Sequence, residues 1–330
     1  MKKTIYAWIT MLSAAALMLA GCSDDTTPPV DLGADDAAVD TGITDGQTNT
    51  DGPPANSRDT VMNSLTVPTS QADAEKYAFD YDNDGTQDNQ LGKVLAAIAG
   101  AISGLDLQQQ LNKQLYNGSV VMLLRPTAKD FANDTATTIQ GWTGKETSCC
   151  TPAPPCTKAQ ADSSCFGGSF TFDIDTTSPT GSSLSGKIVS GQIEVGPGEA
   201  EVLLPIGNFP TKVKLKAARI TGTIAADGTI SDGVLTGAIT KTELDANVVP
   251  SVAKVLNGEL NEAGTAQAVK DAIKSVFDKD NDGQIATSEV ADNALIKLLL
   301  AGDVDVDNDS VNEFSAGIGF TTVGCTINIP

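Results

Sequence analysis

The stretch Gln192-Ile193-Glu194-Val195-Gly196-Pro197-Gly198-Glu199-Ala200-Glu201-Val202-Leu203-Leu204 sets the expected fold class. Two short strand-like runs, Gln192 to Val195 and Glu201 to Leu204, flank a Gly-Pro-Gly turn. Downstream, Val213, Leu215 and Ala217 share one strand face, whereas Ile220 and Ile224 fall on the other parity. A β-bulge at Ala217-Ala218 reconciles the two. Asp227-Gly228 is a hairpin signal and Asp232-Gly233 reads as a further turn. Upstream, Ser119 to Arg125 reads as a buried strand, and Phe170, Phe172 and Ile174 alternate within Gly168 to Asp175. The tail from Gly317 to Ile329 is β-like and is expected to return to the sheet.

Helical patterns bracket this region. Ser70 with Asp73 gives a capping signal for a helix to about Phe79. Further helices are predicted from Asn89 to Ile102, from Asp106 to Leu115 and from Thr242 to about Asn257. The expected class is therefore α+β: a central antiparallel sheet or sandwich flanked by helices, with a helix-loop-helix near the C-terminus. The expected divisions are a leader over 1–21, an acidic tether over 22–62, a helical segment over 63–117, a β region over 118–241 and a helical region over 242–330.

The 330 residues carry a net charge of −21 and no histidine. An acidic surface repels phosphate backbones, so nucleic acid is not an expected partner; it attracts divalent cations. Without histidine the chain lacks the commonest general base and the usual zinc ligand. G-x-S-x-G, P-loop, H-E-x-x-H and dinucleotide fingerprints are missing from the sequence, and no enzymatic activity is expected. Residues 23–60 hold nine Asp, one Arg and no aromatic residue. Such a segment buries too little apolar surface to offset its ordering entropy, and would span about 35 Å or more as a tether.

Lys2 and Lys3 precede an apolar run from Ile5 to Ala20 that ends in Leu19-Ala20-Gly21-Cys22. This tetrapeptide resembles the lipobox of bacterial lipoproteins. The resemblance implies cleavage before Cys22, acylation of its thiol and amine, and anchoring in the cell envelope, with Ser23 pointing to the outer membrane. Cys149, Cys150, Cys156 and Cys165 cluster in one loop, 149–165, and are expected to form two disulfides. Four cysteines allow three connectivities; a bridge between the adjacent Cys149 and Cys150 is disfavoured, and zinc is the rival reading of the cluster. Cys325 is expected to stay free.

Three loops share the core D-x-D-N-D. In Asp278-Lys279-Asp280-Asn281-Asp282-Gly283-Gln284-Ile285-Ala286-Thr287-Ser288-Glu289, carboxylates stand at loop positions one, three, five and twelve. Gln284 offers a backbone carbonyl at seven, Ala286 leaves position nine to water, and Ile285 is the apolar eighth residue. A hard cation seeking six to eight oxygens is satisfied by this set. The stretch resembles the EF-hand calcium-binding family at every constrained position, and the resemblance implies bidentate closure by Glu289. The other two loops offer Asp80, Asp82, Asp84, Thr86 and Asp88, and Asp305, Asp307, Asp309, Val311 and Glu313, with Asp303 as a competing frame. Both carry an acid at position nine and none at twelve, where Leu91 and Ala316 stand. They resemble the shorter Asp-rich loops of thrombospondin-type calcium repeats. EF-hands usually pair across their eighth positions; the candidates here, Gln87 and Asn312, are not apolar, so an unpaired site that braces the fold is expected. The whole chain resembles envelope lipoproteins of myxobacteria and their relatives, a resemblance that implies no particular activity.

The expected function is a lipid-anchored, calcium-binding envelope protein whose fold the ion stabilises. Its membrane contact runs through Cys22, and its protein or glycan partner is open. The alternatives are a carrier of a lipid or other apolar ligand and a calcium-dependent extracytoplasmic hydrolase.

Overall fold

The computed structural model describes residues 56–101, 107–150, 155–177, 181–206 and 209–329. The leader, Cys22 and the acidic segment as far as residue 55 lie outside the described residues. Residues 56–62, read above as the end of the tether, are instead part of the fold: β1 (Asn56–Ser57) and β2 (Thr60–Thr66) begin there.

The chain then forms helices α1 (Gln71–Lys76), α2 (Gln90–Ala101) and α3 (Leu107–Asn117) before the strands β3 (Met122–Ala128) and β4 (Asp134–Thr143). Ser70 caps α1, its side chain accepting from the Asp73 N–H. After the cysteine-rich segment, with α4 (Lys158–Asp162) and β5 (Thr171–Asp173), come β6 (Ser182–Val189), β7 (Gln192–Ile206), β8 (Phe209–Ile224) and β9 (Ile230–Ile239). A helical excursion follows, and β10 (Phe314–Gly324) and β11 (Thr326–Asn328) close the chain.

The large sheet runs β1-β3-β2-β10-β9-β8-β7-β6-β4, and β3 and β4 also pair with each other. That last ladder, from Met122↔Thr143 to Thr127↔Thr138, closes the sheet on itself. Of the two expected forms, the central antiparallel sheet is present and the sandwich is not: the large sheet curls into a barrel. An eight-stranded ring is just wide enough for side chains to fill it. Its interior holds a cavity of about 30 Å³, lined among others by Met62, Leu124, Ile139, Trp142, Val202 and Leu235. On β6 to β8 the pattern is apolar inward, with Ile188, Ile193, Val195 and Val213 buried, and charged outward at Lys187, Glu194 and Lys214. No described helix is long and apolar enough to cross a membrane.

Two expected turns are bulges. Gly196-Pro197-Gly198 lies inside β7, where the register against β8 shifts between Val195 and Ala200. Asp232, at φ +49°, lies inside β9 beside a register shift between Thr221 and Thr223 of β8. A strand that wraps a small barrel must bend, and an extra residue bends it without ending it. The bulge expected at Ala217-Ala218 is present: Ala217 has φ +47°, and the β8–β9 register shifts between Lys216 and Arg219. Asp227-Gly228 makes the β8–β9 turn, with Gly228 at φ +83°.

The strand expected over Gly168 to Asp175 reduces to β5 and does not join the barrel; it pairs in parallel with β11. The cysteines form Cys149–Cys165 and Cys150–Cys156, and Cys325 is free. Burial, with the negative charge of Asp59 beside it, pushes the Cys325 thiol up to about 12, which keeps it protonated.

Between β9 and β10 lie α5 (Lys241–Glu243), a π-helical turn (Leu244–Val248), α6 (Val249–Asn261), α7 (Gln267–Phe277), α8 (Thr287–Ala291) and α9 (Ala294–Leu299). Val249, Leu256, Val269, Ile273, Phe277 and Ile285 belong to a second cluster, joined to that of the barrel through the half-buried Val252 and Leu300.

Candidate metal centres

The three D-x-D-N-D loops adopt one backbone conformation. Asn83, Asn281 and Asn308 each have φ +59°. Two positions on, Gly85 and Gly283 have φ +86° and Ser310 has φ +66°. The left-handed turn favours glycine, and Ser310 adopts it without one. In every loop the first aspartate accepts the N–H of that sixth residue: Gly85 to Asp80 at 3.0 Å, Gly283 to Asp278 at 3.0 Å and Ser310 to Asp305 at 2.9 Å. The fifth-position aspartate accepts the N–H of the seventh residue: Thr86 to Asp84 at 2.6 Å, Gln284 to Asp282 at 2.7 Å and Val311 to Asp309 at 2.8 Å.

This turn gathers carboxylates. Oxygens of Asp80, Asp82 and Asp88, of Asp278, Asp280 and Asp282, and of Asp305, Asp307 and Glu313 lie within 4.8 Å of one another in each group. Asp84, Asp309 and Glu289 are not members of these triads.

The closing acids share one partner although they stand at different loop positions. Asp88 accepts the Tyr81 N–H at 2.8 Å and Glu313 accepts the Val306 N–H at 3.1 Å. Glu289 accepts the Lys279 N–H at 2.6 Å. All three bind the amide of loop position two. The position-nine acids thus hold the amide that the position-twelve glutamate holds in the Asp278 loop, although Glu289 stands outside its triad. Glu289 also accepts the Ala286 N–H at 2.8 Å. That bond first, and those from Lys279 and Asp280 after it, hold its carboxyl below the ordinary glutamate value. Burial, with the charges of Asp82 and Asp303 adding to it, raises the Asp88 carboxyl above its ordinary value.

Two loops sit on the barrel. The Asp80 loop is closed by a Phe79↔Asp88 bridge and the Asp305 loop by a Val304↔Glu313 bridge. Buried Asn89 ties the first to β10, its Nδ2 donating to the carbonyls of Tyr77 and Gly317, both at 3.1 Å. Gly317 is needed there, because a Cβ would stand 1.7 Å from the Tyr77 carbonyl oxygen. The Tyr81 hydroxyl reaches the Ala217 carbonyl on the β8 bulge at 3.5 Å. The preceding residue, Lys216, reaches the other loop, with Nζ 2.5 Å from Asp307 and 3.5 Å from Glu313. Its ammonium is the first cause holding the Asp307 carboxyl below its ordinary value. Asp303 stands outside the triad and caps Ser315, accepting its N–H at 2.8 Å and its hydroxyl at 2.6 Å.

The Asp278 loop sits away from the barrel, between α7 and α8. Ile285 is buried, and its backbone is covered by a side chain of α6. Asn257 Oδ1 accepts the Ile285 N–H at 2.9 Å, and Asn257 Nδ2 donates to the Ile285 carbonyl at 2.7 Å. Neither Asn257 nor Lys216 is marked by the sequence. Lys216 reads as one of the alternating outward lysines of β8, and Asn257 as a helix residue remote from the loop.

Among the described residues, two carboxylate oxygens are buried without a hydrogen-bond partner, Asp80 Oδ1 and Asp278 Oδ1. Asp278 as a whole is 8% exposed. A buried, unpaired carboxylate oxygen costs several kcal/mol unless a cation meets it. The matching oxygen of Asp305 is different: it accepts the Asp309 N–H at 3.2 Å. The chemistry of these groups is all-oxygen, which suits a hard divalent cation.

No protein-family model, curated protein or solved structure matches the chain.

Proposed function

We propose that this chain is a lipid-anchored envelope protein that binds calcium in an EF-hand loop from Asp278 to Glu289, and that the ion braces the helical excursion between β9 and β10. The observation that carries the reading is the unpartnered, buried Asp278 Oδ1 at the head of the Asp278, Asp280, Asp282 triad. Calcium would take oxygens from these three and the carbonyl of Gln284, and Glu289 would close the shell. The Asp80 loop supports a second site by the same reasoning, with Asp88 as its closing acid. Attachment through Cys22 rests on the Leu19-Ala20-Gly21-Cys22 tetrapeptide. The barrel cavity of about 30 Å³ has room for a water-sized guest and none for an acyl chain, so it lends no support to a lipid carrier.

Extracellular modules bind calcium at roughly 10⁻⁴–10⁻³ M. At a hundredfold excess over the dissociation constant, one ion stabilises the fold by about 2.7 kcal/mol. Calorimetry in calcium and in chelator is expected to show that rise in melting temperature, and Glu289→Gln to remove most of it. A melting temperature indifferent to calcium, or a Glu289→Gln chain that responds like its parent, ends the proposal.

The Asp305 loop is expected to behave differently. Lys216 already supplies a cation to Asp307 and Glu313, and calcium must displace it. Native mass spectrometry is expected to find one more calcium bound to Lys216→Gln than to the parent chain. An unchanged count, together with loss of an ion from the parent on Asp305→Asn, shows that Lys216 does not guard the loop.

A further inference from the structure

We infer that Asn257 is the positioning residue that aims the metal-facing carbonyl of the Asp278–Glu289 loop; the inference rests on the calcium reading of that loop. The Gln284 carbonyl and the Ile285 N–H belong to one peptide unit. That unit is planar and trans, so the two groups point in opposite directions. Asn257 Oδ1 holds the N–H at 2.9 Å. The carbonyl on the far side of the same plane is thereby turned away from α6, toward the loop interior where Asp278, Asp280 and Asp282 converge.

The clamp is itself fixed. Asn257 Nδ2 donates at 2.7 Å to the Ile285 carbonyl and at 3.0 Å to the Ala253 carbonyl one helical turn back. The amide therefore covers both the donor and the acceptor of Ile285, the pair of groups that a neighbouring loop would cover in a paired EF-hand. A hydrogen bond to the N–H also polarises the amide and makes its carbonyl oxygen a better donor of electron density to a cation. This accounts for how the loop keeps its shape without a partner loop. The Asp80 and Asp305 loops solve the same problem differently, by their own β-bridges to Asp88 and Glu313. Outer partners of this kind typically change metal affinity 10- to 100-fold.

The test uses terbium(III) as the probe, on the full chain carrying Asp80→Asn and Asp305→Asn so that the Asp278 loop reports alone. Luminescence lifetimes in H₂O and D₂O count the water molecules on the ion. In that background Asn257→Leu is expected to weaken terbium binding about 10- to 100-fold and to add about one water where the carbonyl has turned away. Asn257→Asp keeps the acceptor for the Ile285 N–H and is expected to retain the parent's water count. A purely structural role would lower the melting temperature in chelator and leave the water count of Asn257→Leu at the parent value, which overturns the inference. An affinity within threefold of the parent overturns it too. A Glu289→Gln control that binds terbium like its parent overturns the calcium reading and this inference together; a sensitive control with a silent Asn257→Leu overturns this inference alone.

Discussion

Replacing Phe277 with alanine is expected to open the helical excursion while leaving the barrel closed. Phe277 is 1% exposed, ends α7 and directly precedes Asp278. Its ring fills the small core shared by α6, α7 and α8, which includes Leu256, Ile273, Ile285 and Val290. Large-to-alanine changes of a buried phenylalanine cost about 3–5 kcal/mol, from lost transfer energy and the cavity left behind. Because this core meets that of the barrel through the half-buried Val252 and Leu300 and not through its own buried members, the loss is expected to fall on local opening. Amide exchange in α7 should accelerate by roughly two to four orders of magnitude, and amides in β7 to β9 should exchange as before. Affinity at the proposed calcium site should weaken in step, as expected for a ligand that binds only the closed form. Equal acceleration in helices and barrel would show that the two cores unfold as one, and would remove the distinction drawn between them.

The second large effect is expected at the Cys149–Cys165 disulfide. The two residues are 1% and 0% exposed, and their bridge spans 16 residues. It holds the segment that returns along the barrel through the Gly144↔Ile174 bridge, and the Lys145 N–H donates to the Asp173 carbonyl at 2.9 Å within it. Chain entropy assigns a closed loop of this length about 3 kcal/mol. The Cys149→Ala/Cys165→Ala chain should therefore melt roughly 6–12 °C lower than its parent. Cys150–Cys156 spans only 6 residues and should contribute less, about 2 kcal/mol. If the shorter bridge proves the more stabilising, loop closure is not what these disulfides supply.

The Asp278–Glu289 loop shows what the sequence states openly. Its aspartates and Gly283 are local, so the turn could be written down from the residues alone; the break between α8 and α9, where Asn293 caps the second helix, could not. The Ala217-Ala218 bulge was legible for the same reason, as a break in parity. Barrel closure was not. It depends on β4 and β6, whose inward residues are sparse: Ile139 in a threonine-rich run, with Trp142 on the opposite face of β4, and Leu184 and Ile188 among serines. Neither announces a strand by apolar alternation. Gly196-Pro197-Gly198 and Asp232-Gly233 misled because the residues that make turns also make bulges, and only the partner strand decides between them. Asp88 and Glu313 were visible at position nine, but that they hold the amide held elsewhere by a position-twelve glutamate follows from the Phe79↔Asp88 and Val304↔Glu313 bridges. Asn257 was silent because it meets Ile285 only after α6 and α7 have packed.

Ile239 and Phe314 face each other across the β9–β10 ladder. Residues 240–313, with two of the three aspartate loops, therefore leave and re-enter the barrel at a single point. To the barrel they are one long hairpin connection that is also packed back onto it: Leu244 and Val248 belong to the barrel core, Glu243 accepts the Lys214 N–H of β8, and Lys216 reaches Asp307 and Glu313. A short turn grafted from Ile239 to Phe314 would therefore uncover the barrel side chains that Leu244 and Val248 now cover, so the excursion is part of the barrel's wall as well as the carrier of two loops.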